Sequence, residues 1–227
     1  SFTTEASDTI DAFIEEVRTP SYDCPSQSLF PQLEKTLLGE SLSTQQRFAL
    51  TVAKGQFLIC RGKYEEAEKM LLKAIMQSNI DETSYAFASA IYQIGFSYDA
   101  RENPARCKYY KQAQDLCSPE RHSDIFTSAS LGLISYCSDS SSPEVRLGKM
   151  FGVLKRYSND GSPEELAHIH NSIGLLYGSL EQHALAAEQY LKAHEMGLQV
   201  YEGSNRVSII ISAIVSLLSS GQFDRAY

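Results

Sequence analysis

The stretch GQFLICRGKYEEAEKMLLKAI, Gly55 to Ile75, contains the pattern that decides the fold. A glycine opens an apolar run, the residues Arg-Gly-Lys-Tyr follow as a turn, and Ala67 and Ala74 then stand seven residues apart. Glycine on one helix lets a second helix approach closely, and alanines on the second helix fit that contact. The stretch therefore predicts two helices that pack flat against each other.

The same pattern returns along the chain. Gly55, Gly95, Gly132 and Gly174 are separated by 40, 37 and 42 residues. IGFSYDARENPARCKYYKQA and IGLLYGSLEQHALAAEQYLKA repeat the glycine, tyrosine and alanine positions, whereas LGLISYCSDSSSPEVRLGKMFGVL keeps the glycine and has a degenerate second half. A single helix pair of this kind cannot bury its faces, so neighbouring pairs must stack.

Helix start signals agree with this division into pairs. Asn103, Ser142 and Ser162 each precede a proline, which is typical of a cap followed by the first helical position. Asp81 and Ser123 are further candidate caps, and no sustained alternation typical of strands occurs. We expect helices over residues 5–18, 28–39, 43–61, 64–78, 82–101, 104–118, 123–138, 143–157, 163–180, 183–202 and 205–220.

Composition excludes several classes of function. The net charge of −8 argues against general binding of nucleic acid, which needs basic surface, and against docking on anionic membranes. No apolar run reaches the roughly 20 residues needed to cross a bilayer. The longest, VSIIISAIVSLL from Val207 to Leu218, is interrupted by serines and predicts a buried helix. The first residues lack the features of a signal peptide, as a mature protein or an excised domain also would.

No motif points to catalysis, a cofactor or a metal. His168 and His170 lie two residues apart on a predicted helix, so they point about 200° from each other and cannot share a metal ion. We interpret them as structural histidines. Phosphate-binding glycine loops, G-x-S-x-G and H-E-x-x-H are absent from the sequence. We therefore expect a non-enzymatic region without a cofactor.

The stretches around Gly55 and Gly174 resemble the tetratricopeptide repeat (TPR) family in their glycine, tyrosine and alanine positions. The units depart from the family because they run near 40 residues instead of 34, tryptophan is absent and the terminal proline of the signature is missing. The resemblance implies an all-α, right-handed α-solenoid of antiparallel helix pairs. One array would span residues 1–227, with repeats at about 5–39, 43–78, 82–118, 123–157, 163–202 and 205–227.

Units of this length look like those of bacterial sensory arrays, such as the input domains of GGDEF diguanylate cyclases. That resemblance implies a non-catalytic domain that binds a peptide, a protein or a small ligand in a concave groove and relays it to an output domain. A cytoplasmic peptide-responsive regulator and a purely structural scaffold are the alternatives. The last segment, GQFDRAY, matches the turn and opening of a second helix, so we expect the sequence to be a fragment.

The family register also implies where the groove lies. Members that hold chaperone carboxylates use a lysine and asparagines at places that here hold Val52, Gln56 and Gln93, so that activity is disfavoured. The implied groove is lined by apolar, aromatic and amide side chains, which favour a peptide or partner helix with apolar anchors. Alternatively, several of these residues pack against neighbouring helices. The residues are Gln56, Ile59, Tyr92, Phe96, Asp99, Phe126, Leu133, Tyr136, His168, Asn171 and Leu175.

The five cysteines bear on the compartment. In stacked antiparallel pairs, the start of one second helix lies near the end of the next first helix. Cys24 and Cys60 have this relation, and so do Cys107 and Cys137, which makes both pairs candidate disulfides. Cys117 is left over. Disulfides would indicate an oxidising compartment such as the periplasm, whereas five buried thiols in a reducing cytoplasm are the alternative.

Overall fold

The computed structural model describes residues 2–18, 24–39, 41–77, 79–137, 141–159, 161–197 and 204–222. Over these residues the chain forms eleven α-helices and one short 3-10 turn, with no β-strand. The all-α prediction is confirmed. The helices divide into two compact units, Ser1–Ala129 and Ser130–Tyr227, and the boundary falls within one helix.

The first unit contains six helices and the beginning of a seventh. Helix α3 packs on α4 and α5 packs on α6, while α1 and α2 both contact α3. Phe13 and Val17 of α1, Leu33 of α2, and Leu50 and Phe57 of α3 form a buried apolar core. The helices are α1 (Phe2–Val17), α2 (Phe30–Leu37), α3 (Thr44–Cys60), α4 (Tyr64–Gln77), α5 (Tyr85–Asp99), α6 (Arg106–Asp115) and α7 (Ser123–Tyr136).

The second unit contains the rest of α7 and four further helices. Helix α9 packs against α8 and α10, and α10 packs against α11. Its apolar core includes Leu131, Met150, Ile169 and Ile173, all buried. The helices are α8 (Pro143–Tyr157), α9 (Pro163–Ser179), α10 (His183–Gly197) and α11 (Ser204–Ser219).

Glycines lie at tight contacts between paired helices. A Cβ atom added to Gly55 would lie 3.1 Å from Leu71 Cδ1, on α4. One added to Gly174 would lie 2.8 Å from Cε1 of the Tyr190 ring, on α10. The expectation that both glycines mark close helix contacts is confirmed. Gly95 has the same position against Tyr110, at 3.0 Å from Cδ1.

The turns between paired helices share one backbone geometry. Gly62, Glu102, Glu181 and Gly221 all adopt positive φ, between 54° and 75°. In each turn the N–H of this residue bonds to the carbonyl three positions earlier, and the next N–H bonds to the carbonyl five positions before it. Such a Schellman-type ending satisfies carbonyl groups that a helix end leaves free. Gly221 repeats after α11 the turn that follows α3, α5 and α9.

Several predicted helix details are corrected. Asp81 does not cap α5, because Ser84 is the cap and the Asp81 carboxylate accepts hydrogen bonds from Thr83 instead. Asn103 does not start α6 directly. Its side chain accepts a bond from the Ala105 N–H, and the helix begins at Arg106.

Caps at two predicted helix starts are confirmed. Ser142 accepts a bond from the Val145 N–H at the start of α8. Ser162 forms a reciprocal capping box with Glu165 at the start of α9. Such a box satisfies two backbone donors that a helix start leaves unpaired.

Helix α11 differs most from its prediction. The sequence predicts a buried helix, but only one face is buried, including Ile209, Ala213 and Leu217. Its other face exposes apolar side chains by 36–56%. These are Val207, Ile211, Ile214, Val215 and Leu218.

Candidate ligand-binding site

A cavity of about 240 Å³ lies between α1, α3 and α5 of the first unit. Its lining combines small apolar side chains, amides, hydroxyls and an ion pair. The lining residues are Ile14, Glu15, Arg18, Gln45, Ala49, Val52, Ala53, Gln56, Ser84, Tyr85, Ala86 and Ser89.

Helix α3 supplies the floor of this cavity. Gln45, Ala49, Val52 and Gln56 are spaced by four, three and four residues, so they share one helix face. Val52 and Gln56 are buried, Ala49 is half-buried and Gln45 is exposed. Small side chains let a ligand main chain come close to the helix, and the exposed Gln45 carboxamide offers it both a donor and an acceptor. The floor therefore suits an extended peptide.

An ion pair stands on the α1 side of the cavity. Arg18 Nη2 lies 2.8 Å from Glu15 Oε2, and the Arg18 guanidinium lies 4.8 Å from the centre of the Tyr85 ring. The guanidinium is thus held between a carboxylate and an aromatic face, an arrangement that favours a cation. Both charged side chains remain about half exposed, at 47% and 59%.

Tyr85 joins the cavity to the start of α7. Its ring lines the cavity, and its hydroxyl donates a hydrogen bond to Asp124 Oδ2 at 2.8 Å. The same ring packs steeply inclined, at 77°, against the His122 ring, with centroids 5.3 Å apart. His122 has φ 60°, which an L-residue adopts at a cost. A ligand that moved Tyr85 would therefore disturb contacts of α7.

Among the groove residues expected in the first unit, Gln56 lines this cavity. Tyr92 is only 6% exposed and packs against Tyr110, with ring centroids 5.7 Å apart. Phe96 is 36% exposed and lies 6.4 Å from Tyr92 and 6.5 Å from Tyr64, centroid to centroid. The Tyr92 ring is thus a packing contact and Phe96 retains an exposed surface.

Asp99 and Phe126, also in the first unit, have different settings. The Asp99 carboxylate accepts bonds from Arg106 Nη1 at 2.9 Å and from the Tyr110 hydroxyl at 3.1 Å. Burial raises the pKa of Asp99, while those two partners act in the opposite direction. Asp99 therefore ties α5 to α6. Phe126 is half-buried on α7.

The remaining expected groove residues lie in the second unit. Leu133, His168 and Asn171 are half-buried, whereas Tyr136 and Leu175 are 44% and 52% exposed. Desolvation lowers the pKa of His168 to about 4, so this imidazole is neutral at pH 7. His170 is buried, and its Nδ1 lies 2.7 Å from Gln189 Oε1. Burial also lowers the pKa of His170.

The cavity-lining residues of the α1 and α5 sides are not among those expected from the sequence. Helix α1 lacks the glycine and alanine signature, so the repeat register does not extend to Ile14 and Glu15 or to Arg18, which follows its end. On α3 a signal is present, because Gln45, Ala49, Val52 and Gln56 already share one helical face.

Four of the five cysteines are disulfide-bonded. The structure joins Cys24 to Cys60, with the Cα atoms 5.9 Å apart and a sequence separation of 36. Cys107 and Cys137 are also in the disulfide state. Cys117 is a free thiol, and burial together with the nearby Asp124 raises its pKa to about 12. Its thiolate is therefore scarce at neutral pH, which makes the thiol a poor nucleophile.

A second, more open cleft of about 610 Å³ lies over the turn between α3 and α4. Arg101 borders it and pairs with Glu65 and Glu68. The hydrogen bond with Glu68 is the main factor that raises the pKa of Tyr98 to about 12. These paired charges fasten α4 to the end of α5. We therefore interpret the charged residues of this cleft as structural contacts and not as a ligand-binding site.

Within the described ranges, no group of three or more His, Cys, Asp or Glu side chains could hold a metal ion. Across those same ranges, every helix is too short or too polar to span a bilayer.

Comparison with known proteins shows likeness in structure. No protein-family model matches the chain, and no curated protein matches it in sequence. The chain is similar to NprR, solved in complex with its cognate peptide NprX, with TM-score 0.67 and 15% identity over 88% of this chain and 58% of that one. BtubC (BKLC) from P. vanneervenii matches with TM-score 0.56 and 15% identity, over 97% and 86% of the two chains.

The apo form of RapI matches with TM-score 0.54 and 15% identity, over 88% of this chain and 55% of that one. The chain thus spans less than two thirds of the NprR and RapI chains. Likeness at this identity shows the fold, which is a TPR-like array of helical repeats.

Proposed function

We propose that this region is a non-catalytic regulator that binds a peptide segment in the cavity between α1, α3 and α5. The observation that carries the proposal is the cavity itself, where small side chains and carboxamides share the inner face of α3. Extended peptides need close access for the main chain and polar groups that satisfy its amides. Both are present on one helix face.

The structural likeness supports the same proposal. NprR was solved with its cognate peptide, and this chain shares its fold at TM-score 0.67. A shared fold does not transfer a ligand, since function belongs to particular residues. The lining of this chain's own cavity is therefore the main support, and the NprR complex is the secondary one.

The compartment is part of the proposal. We place this region outside the cytoplasm, in an oxidising environment such as the periplasm, because cysteines in disulfides persist there. The free Cys117 thiol, half-buried and with a raised pKa, is compatible with that environment. A cytoplasmic peptide-responsive regulator is the alternative, and the two differ in the redox state of the protein purified from its native compartment.

Relay to an output domain is the finer part of the proposal. A domain such as a GGDEF diguanylate cyclase, joined to this region, would respond to peptide binding. The contacts of Tyr85 with Asp124 and His122 support a mechanical route, because one side chain lines the cavity and holds the start of α7. A structural scaffold would have no need of such a ligand-facing side chain.

A random peptide library tests the function, because the selection presupposes no particular ligand sequence. Phage displaying random 12-residue peptides are selected on the immobilised 227-residue protein, and the enriched peptides are synthesised. We expect them to bind the wild-type protein. Their affinity for the Ala49→Trp variant should be at least about tenfold lower, because the indole fills the cavity. A milder variant, Ala49→Leu, should give an intermediate loss.

The matched control is Ala100→Trp. Ala100 is exposed at the end of α5 and does not line the cavity, so this variant adds the same side chain elsewhere in the unit. Circular dichroism must show that all variants remain folded. Equal binding to Ala49→Trp and wild type would contradict the assigned site, and a library that yields no binder would favour the structural scaffold.

A further inference from the structure

We propose that the cavity between α1, α3 and α5 takes an aliphatic side chain of Val, Leu or Ile size from a peptide segment of net positive charge. This inference rests on the proposed function and names the class of peptide. The size of the cavity, its carboxamides and the charges around its mouth support it.

The size and floor of the cavity favour an aliphatic anchor. Its volume of about 240 Å³ corresponds to that of about eight water molecules in the liquid. Its floor is apolar and is formed by Ala49, Val52, Ala53 and Ala86. None of the lining residues from α3 is aromatic. A branched aliphatic group removes this apolar surface from water, and space remains for the adjoining main chain.

The polar groups of the floor match a peptide main chain. Gln45 and Gln56 lie on the same face of α3, eleven residues apart, which is about 16 Å along the helix. That span equals about five residues of extended chain. The exposed Gln45 carboxamide can bond to the main chain at one end of the anchor, and the buried Gln56 marks the other end of this face.

Carboxylates dominate the α1 side of the mouth. Asp11 and Glu15 lie one helical turn apart, and Asp11 is directed toward α3 because Gln46 Nε2 donates to its Oδ1 at 2.8 Å. Arg18 is the cation on this side, and it is already paired with Glu15 and stacked over Tyr85. The Gln46 carboxamide that bonds to Asp11 is neutral, so it does not compensate the negative charge of Asp11. The α1 side thus carries net negative charge.

The α5 side has the same sign. Exposed Asp81 and Glu82 precede the cavity-lining start of α5, and Asp124 accepts the hydroxyl of Tyr85. Arg121 is the cation beside them, and its charge acts on Asp81. The two sides together bring five carboxylates and two guanidinium groups near the cavity-lining residues, by direct contact or by a neighbouring place in sequence. Such an excess attracts cationic ligands and repels acidic ones.

The peptides selected on the wild-type protein give the first test. We expect an excess of Lys and Arg over Asp and Glu relative to the unselected library, flanking a Val, Leu or Ile. Peptides that need the cavity, and therefore lose binding to Ala49→Trp, but carry neutral or negative charge would overturn this inference and leave the proposed function standing. Failure to select any binder would overturn both.

Single neutralisations test the role of the rim. Asp11→Asn and Glu15→Gln keep side-chain shape and remove one charge each, and we expect each to weaken the selected peptides about threefold. Glu16→Gln is the matched control, because Glu16 is exposed on the same helix and points about 200° away from the lining residue Ile14. Equal losses in all three variants would contradict the assignment to the rim.

Discussion

Gly174 shows at the residue scale why the helix pairs are built as they are. Its Cβ would meet three atoms of the Tyr190 ring at 2.8–3.1 Å, and a ring cannot yield as a flexible chain can. We expect Gly174→Ala to lower stability, because overpacking costs about 1–3 kcal/mol while the gain in helix propensity returns at most about 1 kcal/mol. Urea denaturation measures the difference.

Two other glycines provide comparisons for this prediction. Gly178 lies in the same helix with no atom within 4 Å of an added Cβ, so Gly178→Ala should stabilise the protein by up to about 1 kcal/mol. At Gly55 the nearest atom is the end of the flexible Gln93 side chain, so Gly55→Ala should cost less than Gly174→Ala. A more stable Gly174→Ala variant would contradict the close contact.

His168 makes stability depend on pH. Its pKa is about 4 in the folded protein, against the ordinary 6.5, so the unfolded chain takes up the proton first as pH falls. The stability associated with this residue is therefore complete above pH 6.5 and is lost progressively toward pH 4. We expect His168→Asn to flatten the melting temperature profile between pH 7 and pH 5.

Buried His170 should retain part of that slope, since burial lowers its pKa as well. The His170 imidazole also bonds to Gln189. His170 is left unchanged in the His168→Asn variant, so its contribution to the pH dependence should remain. Parallel profiles for wild type and His168→Asn would show that His168 is not desolvated.

At the scale of elements, the turns at Gly62 and Glu181 have the same geometry with different residues. Both have positive φ, where an L-residue costs about 1–2 kcal/mol relative to its ordinary conformation. We expect Gly62→Ala to destabilise the protein by about 1 kcal/mol and Glu181→Gly to stabilise it. The Cβ at Gly62 would meet nothing within 4 Å, so backbone strain alone is tested.

Denaturation curves for the two variants give the comparison directly. The changes in the free energy of unfolding should have opposite signs, because Gly62→Ala adds a Cβ atom at a positive φ and Glu181→Gly removes one. Two changes of the same sign would show that these turns are not equivalent.

The elements are predictable from sequence because their signals are local. Helix pairs follow from the spacing of Gly55, Gly95 and Gly174, and caps follow from Ser142 and Ser162. The predicted start of α5 is too early, because Asp81 has a cap-like side chain that instead bonds to Thr83. The apolar composition of α11 predicts burial, but composition does not report which face a neighbour covers.

The site is less predictable, since it depends on contacts between repeats. Tyr92 and Asp99 fit the groove register, but Tyr110 and Arg106 of the following helix engage them. The α1 side of the cavity, with Ile14, Glu15 and Arg18, carries no repeat signature. The repeat register of the sequence places a residue on a helix face. It does not show which neighbouring helix covers that face.

For the whole molecule, the redox state of the cysteines distinguishes an oxidising compartment from the reducing cytoplasm. We expect the denatured, unreduced protein to show one reactive thiol, that of Cys117. Reduction should lower the melting temperature, because the Cys24–Cys60 bond closes a segment of 36 residues and contributes about 4 kcal/mol in the chain-entropy treatment. Five reactive thiols in protein from its native compartment would remove the reason for an extracytoplasmic location.

Photo-crosslinking maps most directly whether a peptide binds between α1, α3 and α5. A selected peptide that carries p-benzoylphenylalanine next to its aliphatic anchor is irradiated with the 227-residue protein. The linked residues are then identified by mass spectrometry. We expect crosslinks to α3 around Ala49 and to α5 around Ala86, and we expect Ala49→Trp to abolish them. Crosslinks confined to α9, around His168, Asn171 and Leu175, or to the apolar face of α11, would contradict it.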